Sequence, residues 1–387
     1  EIYTLSLHDA LPIYYRSLFA VIFATLLLTV LMLGFMRLMM ADQRQALNNE
    51  LSQSAYDAAL SGVEDAKRVV RACQKRDNGG RACEQLRLPN DCKVVARAGV
   101  AGNVAANETL IQSRRSGNGK EFNQAYTCVN ITMDTEDFLI SIPEGSSRLV
   151  PLKAKSEFNK IVLEWFTKED ANGNVAAGRV KNTAAVATSL PAYSDWDESP
   201  SRPAPALLRA QMISPGDTFD LASLDSSRVA TMFLYPRTLS LPGPTNGSVS
   251  AINLPRASGG GQFNNTPTPV SCSPDFANSG YSCRAIIDIS PVTTAASVNS
   301  FLRLTPLYRM SHVRIALYNG AEPVRLDGIQ PAVDATGRAS NVFRRVEARL
   351  QIGDDFPYPE NAVDLENSLC KDFSVIKGSV TPGNCRP

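Results

Sequence analysis

"SLFAVIFATLLLTVLMLGFM", residues 17–36, is a run of twenty residues without a charge, bracketed by Arg16 and Arg37. As a helix rising 1.5 Å per residue it is about 30 Å long, the thickness of a bilayer's hydrocarbon core. A buried core helix or a cleavable signal would also be apolar. The apolar region of a signal, however, is shorter and leads to a small-x-small cleavage site. Here the chain continues "RLMMADQRQALNNELSQSAYDAALSGVEDAKRVVRAC", residues 37–73, helical in pattern and free of proline. Leu47, Leu51, Ala55, Ala58, Gly62, Ala66 and Val70 recur every three or four residues and form a narrow apolar stripe. One helix over residues 14–74 is therefore expected. It would span a membrane at 17–36 and run on as an amphipathic stalk for about 50 Å.

The rest of the chain reads as β structure. "YTCVNITM", "DFLISIP" and "KIVLEWFT" alternate like strands and suggest a meander, and "CRAIIDIS", "FLRLTPLY" and "HVRIALYN" add further strands. Residues 170–270 are rich in Pro, Gly, Ser and Asn and read as a long loop region, "ASGGGQFNNTPTP" being too rich in Gly and Asn for a regular element. Near the C-terminus, "VRLDGIQPAVDATGRASNVFRRVEARLQI", residues 324–352, has the form of a hairpin turning at Asp334-Ala335-Thr336-Gly337. The expected class is α+β: a long transmembrane and stalk helix, then a mainly antiparallel β domain over 75–387 with long loops and disulfides. With 39 basic against 38 acidic residues, the charge balance supplies no field that implies nucleic acid.

An apolar span followed by a helical stalk fits a single-pass receptor, a signal-anchored surface protein or a pilin subunit. The run Asp42–Arg68 resembles the N-terminal helix of PilX-like minor pilins of type IV pili, which carry an "A-x-x-A-A-x-[SA]-G-[VL]-E-x-A" pattern. Ala55, Ala58, Ala59, Gly62, Glu64 and Ala66 are the matching positions. Small residues at this spacing let a helix pack closely, on its own globular domain or on neighbouring helices. The segment "VDATGRASNVFRRVEAR" is similar to closing strands of pilus proteins from small-genome bacteria of the Saccharibacteria type. The resemblance implies a membrane-inserted subunit that assembles through its helix, with other pilin subunits and membrane lipid as partners and a host surface or DNA as further ones. It implies no small-molecule substrate and no cofactor. The competing reading is a single-pass membrane-anchored receptor or binding protein, its C-terminal domain likewise outside the cytoplasm. Pilins share a Gly before an aromatic residue or Met, with a Glu four residues further on. Counted from Tyr14 or Tyr15, the fifth position here is Leu18 or Phe19.

Eight cysteines without a CxxC pair favour disulfides over metal, and with them an oxidising compartment. Cys272 and Cys283 are the most local pair, Cys370 and Cys385 enclose the C-terminal segment, and Cys73, Cys83, Cys92 and Cys128 admit three connectivities. The second of these pairs is placed like the disulfide-bounded region of many pilins. Asp170, Asn172 and Asn174 have the alternating oxygen ligands that open a calcium loop, but Lys181 stands where its bidentate Glu belongs, and a turn at Asn172-Gly173 explains them more simply. Trp196 lies among Asp195, Asp197 and Glu198, either packed beneath a solvated loop or offered to a partner. There are two histidines, His8 and His312, and no Gly-x-Ser-x-Gly, P-loop or HExxH motif, so an assembly protein is expected rather than an enzyme. His312, in a strand-like run, is assigned a structural place.

Residues 1–13, "EIYTLSLHDALPI", contain neither Met nor a basic residue. Back-translated, they match a common short-read sequencing adapter. They are expected to be an artefactual segment that replaces the authentic start and makes no stable packing.

Overall fold

The computed structural model describes residues 11–75, 80–88, 91–101, 104–105, 108–111, 123–172, 196, 204–213, 229–237, 248–250, 267–273, 276, 279–288, 300–351, 373–376 and 379–382. The helices are α1 (Leu11–Lys75), α2 (Arg81–Leu86) and α3 (Val94–Arg97). The strands begin with β1 (Val104–Ala105), β2 (Glu108–Leu110), β3 (Gln124–Thr132), β4 (Asp137–Ile142), β5 (Arg148–Pro151) and β6 (Lys160–Thr167). They continue with β7 (Leu207–Ile213), β8 (Val229–Arg237), β9 (Ser248–Ser250), β10 (Thr268–Ser271), β11 (Tyr281–Asp288) and β12 (Phe301–Leu307). The last are β13 (Ser311–Asn319), β14 (Glu322–Val324), β15 (Ala332–Ala339), β16 (Val342–Arg349), β17 (Phe373–Ile376) and β18 (Ser379–Pro382).

The chain divides into two compact units, and not at the end of the helix as expected. Residues 1–132 and 332–350 form the first, residues 133–331 and 351–387 the second. In the first, α1 is a single helix of 65 residues, and Pro12 sits in its opening turn, where a missing N–H costs nothing. The unit's sheet has the order β1-β2-β3-β15-β16 and is antiparallel throughout. Thr132, at the end of β3, pairs directly with Ala332, at the start of β15.

The C-terminal hairpin exists, but its turn is Ser340-Asn341, with Ser340 at φ 52°, and Asp334 to Gly337 lie inside β15. Gly337 is thus not a turn residue. A Cβ on it would stand 2.2 Å from the carbonyl oxygen of Ala55 and 2.3 Å from the nitrogen of Ala59, so glycine is required because the backbone of α1 passes directly over this point of the sheet.

In the second unit, one sheet has the order β10-β8-β7-β12-β5 and the other β14-β13-β6-β11-β9, with β4 also paired to β13. Leu163, Trp165, Val313 and Ile315 from one sheet and Leu208, Ala210, Leu302 and Leu304 from the other share one buried core. The Trp165 indole N–H donates to the carbonyl of Ala206 at 2.9 Å. The expected meander is not formed, because β3 belongs to the first unit, and β4 and β6 lie on opposite sides of β13. The stretch expected as a loop contains β7 and β8, whose alternating apolar residues bury Leu208, Met212 and Leu234.

Replacing Gly337 by Val forces side-chain atoms into the α1 backbone. The variant is expected to lose about 1–3 kcal/mol or more of stability, read as a lower unfolding midpoint by circular dichroism. An unchanged midpoint would mean that the helix does not bear on this strand.

Candidate assembly interface

The chemistry of α1 changes along its length. Every described residue from Ser17 to Glu50 is exposed, including Phe19, Phe23, Leu27, Leu31 and Phe35. Among the described residues one helix is long and apolar enough to cross a membrane, and its apolar window lies near the N-terminus with none of it buried. Its polar side chains satisfy themselves: Thr25 Oγ1 donates to the Ile22 carbonyl at 2.9 Å and Thr29 Oγ1 to the Leu26 carbonyl at 2.8 Å. In hydrocarbon that bonding pattern leaves no hydroxyl unpaired. Arg37 is exposed at the far end of the run, and Arg16 is on the same helix.

From Ser52 onward the same helix lies on its own sheet. Ala55, Ala58, Ala59 and Ala66 are fully buried, and a Cβ on Gly62 would meet Val129 Cγ2 at 2.9 Å and Tyr126 Cγ at 3.2 Å. The small-residue pattern therefore serves contact with β3 and β15 within the chain. Glu64, the acid of that pattern, is exposed. The acid that touches the sheet is its neighbour Asp65, which accepts the Tyr126 hydroxyl at 2.8 Å and a bond from Arg68 Nη1 at 2.8 Å. Burial, reinforced by that carboxylate, pushes the Tyr126 phenol well above its ordinary range and keeps it a donor. Nearer the apolar end of α1, Arg344 Nε donates to Ser52 Oγ at 2.8 Å, and Gln124 Nε2 donates to Ser54 Oγ. Leu47 is more than half exposed, so the stripe expected from residue 47 is covered only from about residue 51.

Two disulfides close this unit. Cys73 pairs with Cys83, tying the end of α1 to α2, and Cys92 pairs with Cys128 on β3. Of the three connectivities open to these four cysteines, this is the one adopted. Cys272 pairs with Cys283 as expected, in the second unit, while Cys370 and Cys385 lie outside the described residues. Disulfides of this kind suit an oxidising, extracytoplasmic setting.

Of the two readings of Asp170, Asn172 and Asn174, the turn is the one that the bonds of Asp170 favour. Its Oδ2 accepts from the Thr167 backbone N–H at 2.9 Å, the Thr167 hydroxyl at 3.2 Å and the His312 backbone N–H at 3.1 Å, and its Oδ1 lies 2.7 Å from His312 Nδ1. Both oxygens are taken by the protein itself. Asn172 is exposed with φ 53° at the end of the turn, and Asn174 lies outside the described residues. Among the described residues no group of three or more His, Cys, Asp or Glu is placed to hold a metal. Trp196 is buried rather than offered to a partner: its indole N–H donates to the Pro205 carbonyl at 3.0 Å, and its ring meets Tyr235 edge-on at 5.1 Å and stacks on Tyr308 at 5.7 Å. The acids beside it lie outside the described residues.

Comparison with protein-family models, with curated proteins and with solved structures gives no match.

Within the stalk pattern, size at the buried positions and charge at the exposed one separate cleanly. Ala59→Leu is expected to lower stability by about 1–3 kcal/mol through overpacking against β15, whereas Glu64→Leu should stay within about 0.5 kcal/mol. Urea unfolding of the two variants beside the parent measures the contrast.

Proposed function

We propose that the chain is a minor-pilin-like subunit of a type IV pilus, inserted in the membrane by the first part of α1 and assembled into a filament through it. The observation that carries this reading is the division of one continuous helix into an apolar length left exposed by the described residues and a small-residue length committed to its own sheet. A helix used only as an anchor needs the first part. A subunit that leaves the bilayer to pack among other subunits needs in addition a rigid hold on the domain it carries, and the Gly337 cradle and the two nearby disulfides provide it.

On this reading the span exchanges lipid for the spans of neighbouring subunits, an exchange driven by close packing because lipid and leucine are equally apolar. Both β units stand outside the cytoplasm. There they contribute to assembly or to adhesion, with a host surface or DNA as the outer partner.

The test is a photo-crosslinking amino acid placed at Leu27 or Leu31 in the full-length chain, expressed in a cell that makes such pili. Subunit-to-subunit adducts are expected in the surface fraction sheared from the cells. Recovery of the chain only in the membrane after shearing, with lipid adducts alone, would overturn the filament reading in favour of a membrane-anchored receptor.

A further inference from the structure

His312 and Asp170 pin the turn at residues 168–172 to the start of β13, but the surroundings of the pair go beyond a clamp. Asp170 is almost fully buried, with 2% of its side chain exposed, whereas the His312 side chain is 28% exposed. Nδ1 is held by the acid, so Nε2 is the ring nitrogen left for other contacts. The register of β4 and β13 sets Ser141 directly opposite His312. Their side chains therefore leave the same face with Cβ atoms about 5 Å apart. Asp170 follows β6, which flanks β13 on the side away from β4. The imidazole is thus held by a buried carboxylate, with Ser141 at the facing position of the neighbouring strand.

Both Ser141 and His312 line a groove of about 460 Å³, together with Tyr281 and with Leu139, which lies two residues before Ser141 on the same face of β4; Ile140 and Val313 alternate to the opposite, core-facing side. Strained backbone gathers beside it. Phe166, Phe276 and Ser279 have φ of 68°, 53° and 51°, and the two phenylalanine rings stack at 6.2 Å. Bulky residues hold such angles only where the surrounding structure enforces them, and they concentrate at working sites.

We propose that Ser141, His312 and Asp170 form the nucleophile, the base and the positioning acid of an acyl-transfer site for short carboxylic esters with an apolar acyl group. Ser141 Oγ attacks the ester carbonyl carbon as His312 Nε2 takes its proton. The tetrahedral intermediate collapses, the C–O bond to the alcohol breaks, and the leaving oxygen recovers that proton from His312. Water, deprotonated by the same nitrogen, then cleaves acyl-Ser141, releasing the carboxylic acid and restoring the serine. Asp170 holds the ring through Nδ1 and does not touch the substrate. The Tyr281 hydroxyl is the groove's donor for the oxyanion, and burial raises its pKa and keeps it protonated.

The experiment uses the full-length chain in detergent micelles with a fluorophosphonate probe, followed by mass spectrometry of the labelled peptide. Covalent labelling at Ser141 is expected, slowed by about 100-fold in His312→Gln and abolished in Ser141→Ala. Asp170→Asn is expected to reduce labelling per folded molecule, with the folded fraction measured by circular dichroism. A clamp alone would change that fraction and leave the labelling of folded protein untouched. If Ser141 in the parent chain takes no label, or labels equally fast in folded His312→Gln, the assignment is wrong. Neither result bears on the filament reading, which rests on α1.

Discussion

The constraint on which the first unit depends is the approach of the α1 backbone to the backbone of β15 at Gly337. A helix normally stands about 10 Å from a sheet because side chains on both surfaces intervene. Here they are almost removed: alanines on the helix, glycine on the strand. The interaction that replaces a large apolar contact is close packing of main chain against main chain, fixed laterally by Asp65 to Tyr126, Ser52 to Arg344 and Ser54 to Gln124. Small residues contribute little through burial of area alone. What they contribute is position, since neither surface can slide or rotate without bringing a Cβ into the other.

The parts of the fold that could be read from the sequence are those with a strong local period. The apolar run at 17–36 and the small-residue spacing from Ala55 to Ala66 both lie on one helix, and the strands "DFLISIP", "KIVLEWFT" and "HVRIALYN" alternate clearly. The misassigned turn at Asp334 to Gly337 shows where local pattern fails. A Gly after Asp, Ala and Thr has turn chemistry, and the sign that it lay instead within a strand was the regular alternation on both sides of it, since glycine inside a strand marks a close backbone approach. Ser340-Asn341 carries weaker turn chemistry but can close the hairpin, both residues being exposed in the described structure. The strands β7 and β8 were hidden for a related reason, their short apolar runs being outnumbered by surrounding Pro and Gly.

At the candidate sites, legibility followed chain distance. The Cys272 to Cys283 bridge closes a short loop and was accessible, as was the burial of Trp196. The bond between Asp170 and His312 joins residues 142 positions apart and depends on which strands flank β13, which no local spacing encodes. Asp65 was overlooked beside Glu64 because the two differ by one step on the helix, and 100° of rotation separates solvent from sheet.

The pairing of Thr132 with Ala332 has a wider meaning for how such a chain diversifies. Some two hundred residues leave the helix-bearing sheet and return to it at adjacent points of neighbouring strands. To the helix-bearing unit, the whole of that excursion is equivalent to a hairpin loop, and lengthening a loop adds only about 0.6 kcal/mol per doubling. The second unit can therefore be enlarged, trimmed or exchanged by insertion at one seam without altering the pairing of β3 with β15. The architecture separates a part held constant by main-chain packing from a part free to acquire new surfaces.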